Sequence, residues 1–203
     1  MSEDLKGIKN IIFDLGGVIL NIDYQKTINE FEKLGVLNFE TIFSQSSQNT
    51  ISDKFEKGEI NEQEFYESIK KISGVEFSFF QYQFAWNAIL LDLPQERISV
   101  LKELKNKYRL FLFSNTNETH YNKFETLVKS DFDSIFEKTY YSHQFGERKP
   151  NTVAFEKIIN ENGLNREETL FIDDSIQHIE SAKRIEIQTI FYNNTSLHKI
   201  FEE

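Results

Sequence analysis

The sequence contains no cysteine. That excludes disulfides, thiolate metal ligands and a cysteine nucleophile. It also lacks any apolar run approaching the roughly 18–20 residues of a membrane span. Its start, Met1 to Asn10, is polar and charged, without the apolar stretch of a signal peptide. The expectation is a soluble, cytoplasmic protein with no membrane contact. Positive charge is scarce as well: 23 Lys and Arg stand against 33 Asp and Glu, a net charge of −10. Such a chain has no global positive field for nucleic acid. If it binds a phosphate, the positive charge must be local, from a metal ion or a particular lysine.

What is present is a globular composition. Hydrophobic residues make up 39% and aromatics 14%, with 20 Phe, which excludes a disordered chain. The 203 residues suffice for one domain, or for a domain carrying a smaller insertion.

Short apolar runs punctuate the chain. Ile11-Ile12-Phe13 ends at Asp14, Leu110 to Phe113 ends at Ser114, and Leu170-Phe171-Ile172 ends at Asp173. Thr139-Tyr140-Tyr141 and Gln188 to Tyr192 read as further strands. Continuous apolar runs of this length suit buried parallel strands. A helical stripe of Phe155, Ile158, Ile159 and Asn162 stops at Gly163, a C-terminal cap. The alternation predicts an α/β fold, a Rossmann-like parallel sheet flanked by helices.

The long interval between Gly17 and Leu110 breaks this rhythm. Asp23 can cap a helix carrying Tyr24, Ile28 and Phe31 and ending near Gly35. Asn61 and Glu64 form a capping-box pattern ahead of Phe65, Ile69 and Ile72. Tyr82, Ala85, Trp86 and Ile89 mark another helix, and Pro94 closes the interval before the helix of Val100, Leu101 and Leu104. The predicted organisation is an α/β core of residues 1–21 and 95–203 with a small helical cap, 22–94, inserted after the first strand. Phe80, Phe84 and Trp86 are expected in the core of that cap. Glu56-Lys57-Gly58-Glu59 reads either as a loop entering the site from the cap or as a solvated turn.

Asp14, Ser114 and the Asp173-Asp174 pair each follow a buried strand, and ligands of open parallel sheets bind at those strand ends. Lys149 precedes Pro150, which biases it to an extended conformation and can start the next helix. Asp14 and Asp174 could hold Mg²⁺, a hard cation that takes oxygen ligands. Ser114 and the amides of Asn115 and Thr116 could hold phosphate oxygens ahead of a helix N-terminus. Lys149 could neutralise charge on both phosphate and nucleophile, and carboxylates are known phosphoryl nucleophiles.

Taken in order, Phe13-Asp14-Leu15-Gly16-Gly17-Val18, Phe113-Ser114-Asn115-Thr116-Asn117, Arg148-Lys149-Pro150 and Phe171-Ile172-Asp173-Asp174-Ser175 resemble the motifs of the haloacid dehalogenase (HAD) superfamily, over essentially the whole chain. The first and second motifs are most similar to its glucose-1-phosphatase-like sugar-phosphate phosphatases. The resemblance implies a Mg²⁺-dependent phosphatase of a small phosphorylated metabolite, working through an aspartyl-phosphate intermediate. It implies Asp14 as nucleophile and Lys149 as the group that orients and neutralises. Mg²⁺ would be held by Asp14, the Gly16 carbonyl and Asp174, with Asp173 in support. Ser114, Asn115 and Lys149 would bind the phosphoryl group.

One position departs from the family pattern. Most family phosphatases place a second Asp two residues after the nucleophile as general acid and base, a role typically worth about 10²–10⁴-fold. Here that residue is Gly16. Slow turnover, or a substrate with a good leaving group such as an anomeric phosphate, is the expectation. His120 and Asp23 are candidate substitutes, although His120 also reads as a surface or supporting residue and Asp23 as a helix cap. The gap leaves two other readings: a metal-independent 2-haloacid dehalogenase, and a phosphometabolite-binding protein with little catalysis. The adjacent carboxylates of Asp173 and Asp174 would repel each other without a cation, which favours the phosphatase.

Overall fold

The computed structural model describes residues 5–37, 39–40, 50–193 and 196–201. The first four residues of the polar N-terminal stretch lie outside the described residues.

Five strands form one sheet: β1 (Asn10–Phe13), β2 (Arg109–Ser114), β3 (Lys138–Tyr141), β4 (Thr169–Asp173) and β5 (Gln188–Phe191). Their order is β3-β2-β1-β4-β5, and every pairing is parallel. β1 is central, with Ile12 opposite Phe111 on one side and Phe171 on the other. The fold is the expected Rossmann-like α/β arrangement.

Strand side chains alternate between faces, and here both faces are buried. Ile11, Phe13, Leu110, Leu112, Leu170 and Ile172 join one apolar cluster. Helices α5 (Gln95–Leu104) and α6 (Glu118–Ile135) close it through Ile98, Leu101, Phe124 and Val128. Ile12, Phe111, Phe113 and Phe171 join the other, closed by Phe155 and Ile158 of α8 (Thr152–Asn162) and Ile179 and Ala182 of α9 (Ile176–Arg184). A short α7 (Ser142–Phe145) follows β3, and α10 (Leu197–Phe201) ends the described chain. None of the described helices is long and apolar enough to cross a membrane.

Residues between β1 and α5 make a third, separate apolar cluster. It is built from α1 (Tyr24–Lys33), α2 (Thr50–Glu56), α3 (Glu62–Ser73) and α4 (Phe79–Asn87). Aromatics dominate it: Phe31 stacks on Phe39 at 4.0 Å, and Phe55 on Phe65 at 4.3 Å. The caps follow the sequence closely. Asp23 accepts from the Gln25 amide, and Asn61 and Glu64 cap α3 reciprocally. Ser78 and Gln81 form a second capping box that opens α4.

Two aromatics depart from expectation. Trp86 is buried, but Phe80 is 75% and Phe84 62% exposed. Helical periodicity is the reason: Tyr82, Ala85 and Trp86 share the inward face, and Phe80 and Phe84, four apart, share the opposite one. Ile72, placed on the apolar stripe of α3, is likewise exposed, one residue from the end of that helix.

The chain leaves and re-enters the sheet layer through adjacent crossings. Asn21 and Asp23 donate backbone hydrogen bonds to Asp92 and Ile89, Leu91 returns one to Asn21, and Ile22 bridges Leu90. Beyond this ladder, α4 is tied to the start of α6. Trp86 Nε1 donates to Asn117 Oδ1 at 3.1 Å, and the Tyr82 and Thr119 hydroxyls lie 2.9 Å apart.

Candidate active site

The strand order places Asp14, Ser114 and Asp173 on three neighbouring strand ends, at the point where the sheet reverses its winding. A cavity of about 440 Å³ opens there, lined by Asp14, Gly16, Ser114, Asn115, Asp174 and groups from α2. That volume suits a small ligand.

Lys149 is the hub. Its side chain is fully buried, and Nζ donates to Asp14 Oδ1 and to Asp173 Oδ2, each at 2.7 Å. Burial alone would lower the Lys149 pKa, but Asp14 and Asp173 outweigh it and raise it, so the ammonium stays charged. Burial also dominates at Asp14, whose carboxyl is raised despite Lys149. Asp173 is held below its ordinary value: Lys149 and His178 overcome the cost of burial. His178 Nδ1 lies 3.0 Å from both Asp173 oxygens, and the Ser175 amide donates to Oδ1.

Asp174 is the uncompensated carboxylate. It is exposed to the cavity, yet partial desolvation first, then the charges of Asp14 and Asp173, push it up to about 7. Carboxylate oxygens of Asp14, Asp173 and Asp174 lie within 4.8 Å of one another. Three acids around one lysine leave surplus negative charge facing the cavity, a donor set that fits a hard divalent cation. The Gly16 carbonyl accepts no hydrogen bond among the described residues, so it is available to the same ion.

Gly17 makes room for this arrangement. It sits at φ +78°, and a Cβ there would fall 2.0 Å from Asp174 Oδ2. Gly17→Ala should displace Asp174 and weaken magnesium binding by about 10–100-fold, read by titration calorimetry. Unchanged affinity would separate Asp174 from the metal. Gly16 is different: a Cβ would meet Ile22 Cδ1 at 3.2 Å, so Ile22 crowds the space a side chain at this position would enter.

Several expected roles change in detail. The Asn115 side chain is committed to Lys149: it accepts from the Lys149 amide at 2.9 Å and donates to its carbonyl at 2.8 Å. Only its backbone amide, which has no partner among the described residues, is left for a phosphate. The Thr116 amide is not left for one, because the buried Ser142 hydroxyl accepts from it at 2.9 Å and donates back to the Thr116 carbonyl. Ser114 ends β2 and lines the cavity, with only a 3.4 Å contact to the Asn115 carbonyl. The helix that follows is capped by Asn117. Pro150 does not begin a helix either: α8 starts at Thr152, capped by Asn151.

His120 lines the cavity, but both ring nitrogens are taken. Nε2 donates to the Trp86 carbonyl, and Nδ1 accepts from Asn117. Burial lowers its pKa to about 4, so it is a neutral structural link between α4 and α6. Asp23 is occupied as the cap of α1. The segment from Glu56 to Glu59 divides: Glu56 lines the cavity, Glu59 is exposed, and a Cβ at Gly58 would lie 2.1 Å from the His143 carbonyl. His178 and Ser142 are the contributors that residue patterns did not single out. The available signal was position: His178 in the first turn after the Asp173-Asp174 motif, and Ser142 at the end of β3.

A profile of the haloacid dehalogenase-like hydrolase family matches residues 11–192. The chain belongs to that family of hydrolases. It is 29% identical over 187 residues to the D-ribitol-5-phosphate phosphatase of Bacteroides thetaiotaomicron, covering 90% of each chain. Among solved structures, a HAD family enzyme of Bacteroides thetaiotaomicron, crystallised with magnesium and inorganic phosphate, matches with a TM-score of 0.85 and 33% identity over 96% of this chain and 100% of that one. A HAD-like hydrolase of Porphyromonas gingivalis matches at 0.85 and 31% over 97% and 98%.

Proposed function

We propose that this hydrolase is a magnesium-dependent phosphatase of small phosphomonoesters and that Asp14 is its nucleophile. The observation that carries this reading is the buried Lys149 ammonium bridging Asp14 and Asp173 beside a third carboxylate, Asp174. Asp14 Oδ1 is held by Lys149, and Oδ2 has no hydrogen bond among the described residues. In this reading Asp14 attacks phosphorus in line with the leaving oxygen, the P–O bond to the alcohol breaks, the departing alkoxide takes a proton from water, and an aspartyl phosphate forms. Water then attacks that intermediate, releasing phosphate and restoring the carboxylate. Asp14, Asp174 and the Gly16 carbonyl would hold the magnesium ion, with Asp173 in support. When bound, the ion supplies charge stabilisation to the phosphoryl oxygens. Ser114, the Asn115 amide and Lys149 would hold the phosphoryl group.

The surplus carboxylate favours this reading over metal-free carbon–halogen hydrolysis, and the unpartnered Asp14 oxygen favours it over a site that only binds. Residues 22–94 would act as the cap over a core of 1–21 and 95–203, and its closure would exclude bulk water. The motif resemblance and the ribitol-phosphate relative put sugar and sugar-alcohol phosphates first among compounds to test. With no acid at position 16, anomeric phosphates should turn over faster than alkyl phosphates. The test is phosphate release from a panel of monoesters with magnesium and with chelator. Release confined to the magnesium arm is expected; release that survives chelation, or chloride release from a 2-haloacid, would overturn the proposal.

Magnesium binding should also depend on pH. The Asp174 carboxyl is raised from 3.8 to about 7 without a cation. Its stabilising contribution to the metal-free fold is therefore present below about pH 4 and lost as pH rises towards 7. Magnesium must displace the Asp174 proton below pH 7 and need not above it. The melting-temperature gain from magnesium should grow from pH 5.5 to 7.5 and flatten beyond. A gain independent of pH would show that Asp174 is not a ligand.

A further inference from the structure

The phosphoryl end of the cavity is polar, but its outer wall is not. Tyr24, Ile176 and Phe191 line the cavity and are 43%, 56% and 47% exposed. Scattered apolar side chains on a surface need no explanation, but a group of them around one opening does. Partly buried Ile22 and Leu90 continue the same wall inward.

The elements that build the site also fix these residues. Ile22 and Tyr24 lie on the chain leaving β1, Tyr24 as the first residue of α1. Ile176 opens α9, two residues after Asp174, and Phe191 ends β5 opposite Asp173. Across the sheet the strand ends run Ser114, Asp14, Asp173, Phe191, so Phe191 and the phosphoryl-binding Ser114 fall on opposite sides of the nucleophile.

The larger polar side chains of the wall are engaged within the protein. Arg148 is paired with Asp53 and Glu56. Asn117 holds Trp86 and the His120 amide, and both His120 ring nitrogens are taken. At Gly16 the space for a side chain is crowded by Ile22, so carbon and not a proton donor borders that position. A chain hydroxylated along its length would give up bound water to these carbons without equivalent hydrogen bonds in return. An apolar chain would cover them at no such cost.

We propose that Ile22, Tyr24, Ile176 and Phe191 form an apolar subsite for the alcohol half of the substrate, and that this half is an uncharged apolar alcohol, aliphatic or aromatic. The inference rests on the phosphatase reading above, and it names a different alcohol from that of the ribitol-phosphate relative.

The test uses phenyl phosphates, so that the leaving oxygen stays nearly the same and the apolar contact changes. It compares kcat/KM for phenyl, para-propylphenyl and para-(dihydroxypropyl)phenyl phosphate. Each buried methylene is worth about two- to fourfold, so the propyl ester should exceed the phenyl ester by about tenfold or more. It should exceed the dihydroxypropyl ester by about 10–100-fold. Phe191→Ser and Ile176→Asn should each lower the propyl-to-dihydroxypropyl ratio by about fivefold or more. Both side chains are exposed, so neither substitution empties the core, and either variant carries the test if the other fails to fold. A wild-type ratio near one, or a ratio within about twofold of wild type in the folded variants, would overturn the subsite. So would a higher kcat/KM for a pentitol 5-phosphate than for the propylphenyl ester. Those outcomes leave the phosphatase reading standing. No phosphate release from any ester would sink that reading itself, and the subsite with it.

Discussion

Asp14→Asn should abolish phosphate release while leaving the protein folded. Removing a covalent nucleophile costs on the order of 10⁴-fold or more in turnover, because a neutral amide is far too weak a nucleophile to form the phosphoenzyme. The stability expectation is the opposite of that for most buried charges. The Asp14 carboxyl is raised by burial and by Asp173 even with Lys149 beside it, so its ionised form is a burden on the metal-free fold. A neutral amide relieves that burden, and Lys149 keeps its 2.7 Å partner at Asp173. The Asp14→Asn protein should therefore unfold in urea, with chelator present, at the same or a higher midpoint than wild type. Substantial residual turnover would mean that water attacks phosphorus directly. A large fall in midpoint would mean that Asp14 is needed to keep Lys149 in place.

Lys149→Met should do the reverse and damage both properties. The ammonium has no exposure and bridges two carboxylates that would otherwise face each other unpaired. Breaking a buried ion pair from one side costs about 3–5 kcal/mol. The loss should be largest in chelator and smaller in magnesium, where the cation takes over part of the neutralisation. Adding Asp173→Asn should recover part of the lost stability by removing one of the stranded charges. It should not recover activity, since the phosphoryl group would still lack the Lys149 charge. Urea denaturation with and without magnesium measures the first effect, and phosphate release the second. Wild-type stability in Lys149→Met would show that solvent or a neighbouring cation already screens the pair.

The three central strands were legible because they are buried on both sides. Ile11-Ile12-Phe13 and Leu110 to Phe113 had to be continuous apolar runs, since alternate residues feed different clusters. The polar residues that end them were legible for the same reason: nothing else interrupts a run of that kind. The helical insertion was readable through its caps, Asp23, Asn61 and Glu64, but its sidedness was less so. On α4 nearly every residue is apolar or aromatic, so composition does not show that Phe80 and Phe84 point outward while Tyr82 and Trp86 point in.

Within the site, residue type announced the charges but not the hydrogen-bond assignments. Asn115 binds the Lys149 backbone, and Ser142, from a different strand, takes the Thr116 amide. Both contacts depend on register between β2, β3 and the loop before α8. Glu56 and Arg148 meet only because α2 lies over that loop, a long-range contact that no local pattern encodes.

If phosphate passes through the Asp14 carboxylate, the acyl phosphate formed there can be trapped. The enzyme would be quenched during turnover of its best phosphomonoester with magnesium, treated with borohydride, and mapped by peptide mass spectrometry. Borohydride reduces an aspartyl phosphate to homoserine. Reduction is expected at position 14 alone, absent without substrate and absent in Asp14→Asn. Active turnover with no reduction at position 14, or with reduction at Asp173 or Asp174 instead, would contradict it.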